Sequence, residues 1–189
     1  DAAGMASVTA NMIENGSSDN CEIESIEIDI SEFNCDDVGT NQVILTVTDI
    51  YGNVGSTTAT VTVTENENPI AVSQDLTVVL DASGMVSITP QDVDNGSSDN
   101  CEITDISLDI SSFDCSHIGQ NNVLMTVTDG YGNMSSSVAV ITVLDTLPPT
   151  ITCPTGYSSI DCDNIITYDT PTINDNCQNG TFVLVSGLP

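Results

Sequence analysis

The sequence contains no lysine and no arginine, against 28 aspartate and glutamate residues, and its formal net charge is −28. Proteins that bind nucleic acids or anionic membrane surfaces neutralise phosphates with Lys and Arg, so neither kind of partner is expected. Intramolecular Lys–Asn isopeptide crosslinks are excluded for the same reason. Because no carboxylate can pair with a basic side chain, each must be solvated, hydrogen-bonded or bound to a cation.

Tryptophan is absent, aromatic residues make up only 4%, and His117 is the single histidine. No apolar run approaches the roughly 18 residues of a transmembrane helix, so no direct membrane insertion is expected. The acidity does not indicate disorder, since hydrophobic residues make up 39% of the chain and Val, Ile and Thr are abundant. These features predict a folded, β-rich chain.

Residues 1–65 and 81–145 are two copies of one sequence, offset by 80 positions without a gap, and 35 of the 65 paired positions are identical. Self-similarity at such a period is typical of tandem arrays of folded modules. We expect three modules. Residues 1–66 form a repeat truncated on its N-terminal side, residues 67–145 a complete repeat, and residues 146–189 a different repeat truncated on its C-terminal side.

Apolar and polar residues alternate with a period of two, which is the pattern of half-buried β-strands. In each copy a strand leads into a DxYGN turn, whose Asp, Gly and Asn favour tight turns, and a second strand returns. No helical period of useful length is present. The predicted class is therefore all-β, with an immunoglobulin-like β-sandwich in each repeat and an elongated tandem array. The predicted strands are 26–30, 43–48, 57–63, 106–110, 123–128 and 138–143.

Seven cysteines indicate an oxidising, extracellular compartment. In each of the first two repeats two cysteines lie fourteen positions apart, and a crosslink over that distance would stabilise by about 3 kcal/mol. A metal–thiolate site is disfavoured, because no CxxC spacing and no His accompany these cysteines. The predicted disulfides are Cys21–Cys35, Cys101–Cys115 and Cys162–Cys177, with Cys153 left unpaired in this chain.

The loop before the first cysteine of each pair reads ENGSSDNC (14–21) or DNGSSDNC (94–101). Carboxylates, amides and hydroxyls on a Gly-containing loop are the hard oxygen ligands that calcium prefers. An acid is retained in both copies at two places, so the candidate calcium ligands are Glu14, Asp19, Asp94 and Asp99. The alternative is a structural turn whose Asx hydrogen bonds lead into the disulfide.

The junction VTVTENENPIAV (61–72) looks like the calcium-binding linker of cadherins, in which acidic and Asn residues precede a Pro between β-sandwiches. By position, that resemblance implies Glu65, Asn66, Glu67 and Asn68 as candidate ligands. The next junction, VLDTLPP (143–149), offers only Asp145. A bare hinge with a rigidifying Pro is the alternative at both places.

Other chemistry is scarce. No nucleophile–base arrangement, phosphate loop or zinc signature is found, and nothing selects a pair of acids for glycoside hydrolysis, so the chain is not expected to be an enzyme. Thr146 lies in a DTL triplet that resembles the O-glycosylation sequence of Bacteroidota and is a candidate glycosylation site.

The third unit reads PPTITCP (148–154), then Cys162, TPTINDNC (170–177) and GTFVLVSGLP (180–189), and it resembles the start of an HYR (hyalin-repeat) domain. In that family an early Cys-Pro pairs with a Cys on the last strand, which implies no partner for Cys153 here. The first two repeats, with DASGMVSITP, DNGSSDNC and TVTDGYGN, are similar to Ig-like/HYR-like repeats of giant Bacteroidota cell-surface adhesins. Gliding-motility adhesins exported by the type IX secretion system belong to this group.

The resemblance implies an extracellular stalk segment that extends a binding tip from the cell surface for attachment or gliding. Its partners would be the neighbouring repeats of the chain, and beyond them other copies of the filament or surface glycans. Calcium is the candidate cofactor. Two alternatives stay open: a calcium-dependent self-associating or carbohydrate-binding β-sandwich module, and accessory repeats of a secreted enzyme.

Overall fold

The computed structural model describes residues 3–153, 157–160, 166–168 and 171–177. In these ranges the chain consists of short and medium β-strands, with α-helices of only four residues. The all-β prediction is confirmed. No helix in the described ranges has the length and apolar character needed to cross a membrane.

Six elements make up the first repeat. They are β1 (Ala6–Ser7), α1 (Ala10–Ile13), β2 (Ile23–Ile28), β3 (Glu32–Phe33), β4 (Gly39–Asp49) and β5 (Val54–Val63). The strands β2, β4 and β5 form an antiparallel sheet in that order, and β1 pairs with β3 in a second small sheet. A 3-10 turn at Cys35–Asp37 connects the two sheets.

The second repeat has the same order of elements, preceded by one additional strand. They are β6 (Leu76–Val79), β7 (Met85–Ser87), α2 (Pro90–Val93), β8 (Ile103–Leu108), β9 (Ser112–Asp114), β10 (Gly119–Asp129) and β11 (Met134–Leu144). One sheet has the order β6-β11-β10-β8, and β7 pairs with β9 in the other.

The third repeat is described in part, as four strands in two antiparallel pairs. They are β12 (Thr150–Thr152), β13 (Tyr157–Ile160), β14 (Ile166–Tyr168) and β15 (Thr172–Asn174), with β12 beside β15 and β13 beside β14.

The long hairpins form because their sequences alternate. In β4, Val43 and Leu45 are buried while Ile44 between them is exposed, and in β10 Val123 and Met125 are buried in the same way. One face of each hairpin is therefore apolar and packs inward, as period-two patterning requires. Both hairpins extend beyond the predicted strands by a few residues, because Gly39 and Gly119, outside the alternating run, already pair across the sheet.

The strand β6 covers apolar side chains at the edge of the second repeat's sheet. It runs parallel to β11, from Leu76 opposite Ile141 to Val79 opposite Leu144. Ile141 on β11 is fully buried, whereas its counterpart Val61 on β5 is only half-buried. A strand lying along the edge thus removes apolar surface from water that the first repeat leaves accessible.

The chain divides into two compact units whose bounds differ from those of the repeats. The first comprises Asp1–Ala71, Gly96–Ile106 and Thr126–Ser136, and the second comprises Val72–Asn95, Ser107–Met125 and Ser137–Pro189. Two loops of the second repeat therefore group with the first repeat. The module bounds 1–66, 67–145 and 146–189 stay a prediction from the sequence period.

A buried aspartate organises the turn of each long hairpin. Asp49 Oδ1 accepts hydrogen bonds from the backbone N–H groups of Tyr51 and Asn53, each at 2.8 Å, and its Oδ2 accepts one from Asn53 Nδ2 at 2.7 Å. Asp129 makes the same set with the same distances and is only 2% exposed. In a chain without basic side chains, amide donors thus take the place of cations.

These hydrogen bonds keep both carboxyl groups ionised. The side-chain and backbone hydrogen bonds of Asn53 lower the pKa of Asp49 below its ordinary value of 3.8. Burial raises the pKa of Asp129, but hydrogen bonds from Asn133 and Tyr131 outweigh burial, so that pKa is lowered as well. A carboxyl whose pKa is lower in the folded chain stabilises the fold above its unfolded pKa, and this is lost as pH falls through the folded pKa.

We expect Asp129→Asn to lower the free energy of unfolding by about 1–3 kcal/mol near neutral pH, because an amide at this position loses the carboxylate that now accepts the Tyr131 and Asn133 backbone N–H groups and the Asn133 side-chain amide. The control is Asp105→Asn, which removes the same charge from an exposed position and should change stability by less than about 0.5 kcal/mol. Chemical denaturation of both variants measures the difference. The Asp129→Asn effect should shrink as pH is lowered from neutral to below 3.8, where the native carboxyl also takes up a proton. A gap that is constant with pH would contradict this account.

Candidate functional site: the disulfide-linked junctions

The disulfides join consecutive repeats. Cys35 of the first repeat is bonded to Cys101 of the second, with Cα atoms 5.6 Å apart, and both belong to the first compact unit. Cys115 of the second repeat is bonded to Cys177 of the third, with Cα atoms 5.3 Å apart, and both belong to the second unit. The second cysteine of one repeat thus bonds to the cysteine that follows an Asp-Asn pair in the next repeat.

The predicted pairs Cys21–Cys35 and Cys101–Cys115 are therefore wrong. Cys21 lies next to the turn end of the first hairpin, where Ile50 N–H donates to the Glu22 carbonyl, while Cys35 lies beside the start of β4. The eleven residues of β4 span about 33 Å at about 3.3 Å per residue. A disulfide needs Cα atoms within about 7 Å, so cysteines at opposite ends of this strand cannot pair.

The third predicted pair, Cys162–Cys177, is also wrong, since Cys177 is bonded to Cys115. Cys162 itself lies outside the described residues. Cys21 and Cys153 carry free, exposed thiols.

A glycine makes room for each disulfide. Gly4 has φ +69°, and a Cβ added there would lie 2.6 Å from the Asn100 carbonyl oxygen and 2.7 Å from Cys35 Sγ. Gly84 repeats this arrangement in the second unit. A Cβ added there would lie 2.8 Å from the Asn176 carbonyl oxygen and 2.8 Å from Cys115 Sγ. Distances below 3.0 Å exclude any side chain, so each junction requires glycine at this position.

Polar contacts surround the Cys35–Cys101 bond. The Tyr131 hydroxyl donates to the Cys35 carbonyl at 2.5 Å, and Asn133 Nδ2 donates to Glu65 Oε2 at 2.5 Å and to Asp129 Oδ2 at 2.7 Å. The DxYGN turn of the second repeat therefore contacts the last residues of the first repeat directly. Tyr131 acts here as a hydrogen-bond donor to a backbone carbonyl.

The second junction uses a related acid. Asn176 Nδ2 donates to Asp145 Oδ1 at 3.2 Å and to the Asp81 carbonyl at 3.1 Å. Asp145 occupies the position of Glu65 in the 80-residue register. In both units, an acid just after the last strand of a repeat accepts a hydrogen bond from an Asn of the following repeat.

The candidate calcium ligands in the loops are engaged locally. The Ser17 backbone N–H donates to Glu14 Oε1, and this hydrogen bond is the main cause that lowers the pKa of Glu14. Asp19 and Asp99 each accept the backbone N–H of the cysteine two residues later, at 2.7 and 2.9 Å. Asp94 ends α2, and its N–H donates to the Pro90 carbonyl. These contacts form a structural turn with Asx hydrogen bonds that leads into the disulfide, which is the alternative to a calcium-binding loop.

One linker candidate also accepts a local hydrogen bond. Glu65 Oε1 accepts the Glu67 N–H at 2.8 Å, and Asn66 and Asn68 are exposed. Across the described ranges, no three or more His, Cys, Asp or Glu side chains lie together so that they could hold a metal ion. Calcium binding by these residues therefore stays a prediction. Thr146 is exposed.

The sequence carries a signal for the junctions that the local spacing of cysteines hides. The triplet Asp-Asn-Cys occurs three times, ending at Cys21, Cys101 and Cys177, so the third repeat shares this element with the first two. The Gly-Met dipeptide that begins at Gly4 recurs at Gly84. Aligning the triplets would have shown that Cys177 corresponds to Cys101 and is not the second cysteine of a local pair.

Comparison with known proteins assigns no family to the chain. No protein-family model matches it, and no curated protein is similar in sequence. Among solved structures, a crystal structure of protocadherin gamma B7 extracellular cadherin domains 1–4 aligns with 82% of this chain at 15% identity and a TM-score of 0.35. The chain spans 46% of the length of that protein. A score this low establishes neither a family nor a function.

We expect Gly84→Ala to destabilise the chain by about 1–3 kcal/mol more than Gly96→Ala, because the new methyl group would overlap the Asn176 carbonyl and the Cys115 sulfur. Gly96 is the matched control, since it has φ +88° and nothing within 4 Å of an added Cβ. Thermal melting measures stability, and mass spectrometry of non-reduced peptides measures the fraction with Cys115 bonded to Cys177. A protease specific for Glu or Asp is needed, since trypsin has no site. Equal effects of the two variants would mean that the junction tolerates a side chain.

Proposed function

We propose that this chain is a repetitive stalk segment of a large secreted cell-surface adhesin, in which it holds a binding tip away from the cell for attachment or gliding motility. The observation that carries this proposal is the bonding of each repeat to the next through Cys35–Cys101 and Cys115–Cys177. A crosslink between repeats makes each neighbour a required partner. This dependence on neighbours is expected of an array whose function requires length, and it is not expected of a module that functions alone.

The disulfides support an extracellular location, because such bonds persist in oxidising compartments. Closing 66 residues into a loop stabilises the fold by about 4 kcal/mol in the chain-entropy account. The HYR-like character of the third repeat, export by the type IX system and a Bacteroidota origin belong to the same proposal. They rest on the motifs DNGSSDNC and PPTITCP. We assign no enzymatic activity to these repeats.

The competing function is a binding module that self-associates or binds carbohydrate. Sugar sites commonly offer an aromatic ring for stacking, and Tyr51 and Tyr131 are the tyrosines of the repeated turn. The hydroxyl of Tyr131 is committed to the Cys35 carbonyl, so this ring serves the junction. Tyr51 is 73% exposed.

The stalk proposal predicts that the oxidised chain neither self-associates nor binds glycans. We expect a sedimentation coefficient that is independent of protein concentration, with and without calcium, and no saturable signal on a panel of surface polysaccharides. Tyr51→Ala should leave both results unchanged. Concentration-dependent sedimentation, or glycan binding that Tyr51→Ala abolishes, would replace the stalk by the binding module.

The calcium hypothesis is tested against general screening of the chain's charge. A chain with a net charge of −28 repels itself, and any salt screens that repulsion. We expect the melting temperature to rise with ionic strength and to rise equally in NaCl, MgCl2 and CaCl2 at matched ionic strength. Glu65→Gln should not change the calcium response. A calcium-specific increase that Glu65→Gln removes, together with near-stoichiometric calcium in the purified protein, would show that the junction acids bind the ion.

A further inference from the structure

The pairing of the cysteines creates a short covalent route through the array. From Cys35 the chain can be followed along the backbone to Cys101, or directly across the disulfide. The same choice exists between Cys115 and Cys177. The segment from Cys101 to Cys115, only fourteen positions long, is bonded at both of its ends. We propose that this segment, which we name the link, carries tension along the array while the remainder of each repeat is held outside the load path.

The lengths of the two routes decide how far the chain can be stretched. The bypassed segments close sequence separations of 66 and 62 residues. At a maximum of about 3.5 Å per residue, these segments store about 230 Å and about 220 Å of chain that tension cannot extend while the disulfides are intact. The link itself can extend to only about 50 Å by the same measure. The second repeat, when pulled, therefore yields the link and nothing more.

The bypassed segments contain the long hairpins. β4 and β5 lie between Cys35 and Cys101, and β10 and β11 lie between Cys115 and Cys177. The buried residues Val43, Val123 and Ile141 belong to these hairpins. The link contains only β8 and β9. Force applied along the array thus pulls on two short strands, and the strands that hold most of the core are not pulled from their ends.

Local pairing would have had the opposite effect. Bonds within each repeat, from Cys21 to Cys35 and from Cys101 to Cys115, would remove the short segments from the load path and leave the hairpins in it. Most of the chain could then be drawn out under tension. The shift of each bond to the next repeat is therefore what protects the hairpins.

The surroundings of the disulfides preserve this arrangement. Cys35 Sγ lies 3.6 Å from the Asn100 carbonyl oxygen and 3.8 Å from the Gly4 carbonyl oxygen, and Cys177 is buried. Reduction proceeds by attack of a thiolate on sulfur. An anionic thiolate meets carbonyl oxygens at the bond and a net charge of −28 on the chain, and both oppose its approach.

The test is to stretch the whole chain between its termini by single-molecule force spectroscopy, with handles attached without cysteine chemistry. The oxidised chain should reach a contour length of about 200 Å, and reduction should add about 430 Å. Before reduction, no single extension step should exceed about 120 Å, the extended length of residues 1–35, and the step from the link should not exceed about 50 Å. The double variant Cys35→Ser/Cys101→Ser should release about 220 Å without reductant. The control Cys21→Ser, which leaves both disulfides intact, should match the native chain.

Contour length depends on covalent pairing and not on stability, so the result is decisive even if a variant folds poorly. An oxidised chain that gains only about 50 Å per bond on reduction has local pairs, and the proposal is then wrong. The load path is useful only if the stalk proposal holds, but the two proposals can be contradicted separately. Glycan binding together with a short contour length of the oxidised chain would contradict the stalk function and support the load path. A long contour length of the oxidised chain without glycan binding would contradict the load path and leave the stalk function standing.

Discussion

The bond from the second cysteine of one repeat to the Asp-Asn-Cys cysteine of the next is the constraint on which the other contacts of each junction depend. To place the Cα atoms of Cys35 and Cys101 5.6 Å apart, the Asn100 carbonyl must lie against the Gly4 backbone, where no side chain fits. Once the chains are this close, Tyr131 reaches the Cys35 carbonyl and Asn133 reaches Glu65. The same requirement places glycine at position 84 in the second unit.

The absence of basic side chains shapes the rest of the fold. Asp29 and Asp109 each accept a backbone N–H from the neighbouring long strand, at 2.7 and 2.8 Å, and Asp81 accepts the N–H groups of Ser83 and Met85. The lowered pKa of Asp81 follows from its hydrogen bonds with Ser83 and Met85. Backbone donors are fixed in place by the strands, so they hold carboxylates without the loss of side-chain entropy that a Lys or Arg partner would require. Three of the candidate calcium ligands use their carboxylates in this way, since Glu14, Asp19 and Asp99 each accept a nearby backbone N–H.

The strands and turns could be predicted because their signals are local. Alternation places Val43 and Leu45 on one face whatever the rest of the chain does, and Asp49 followed by Gly52 is sufficient for a tight turn. The partner of a cysteine is not local in this sense. The fourteen positions between Cys21 and Cys35 suggest a closed loop when only the spacing is considered. The suggestion fails once β2 and the eleven residues of β4 are considered, because they hold the two cysteines apart. Only the pairing of β2 with β4, from Ile23 opposite Asp49 to Ile28 opposite Leu45, places the two cysteines at opposite ends of a long strand, where they cannot meet.

The shifted pairing also accounts for the gapless 80-residue period. Each repeat of this type contributes one first cysteine, one second cysteine, one close-packed glycine and one Asp-Asn-Cys triplet. A whole repeat inserted into the array therefore finds a partner on both sides, and the existing junctions are unchanged. An insertion that moved a triplet away from its glycine would leave a cysteine unpaired. Duplication of whole 80-residue repeats thus lengthens the array and keeps the covalent route through the disulfides continuous. Length is the property that varies among stalks.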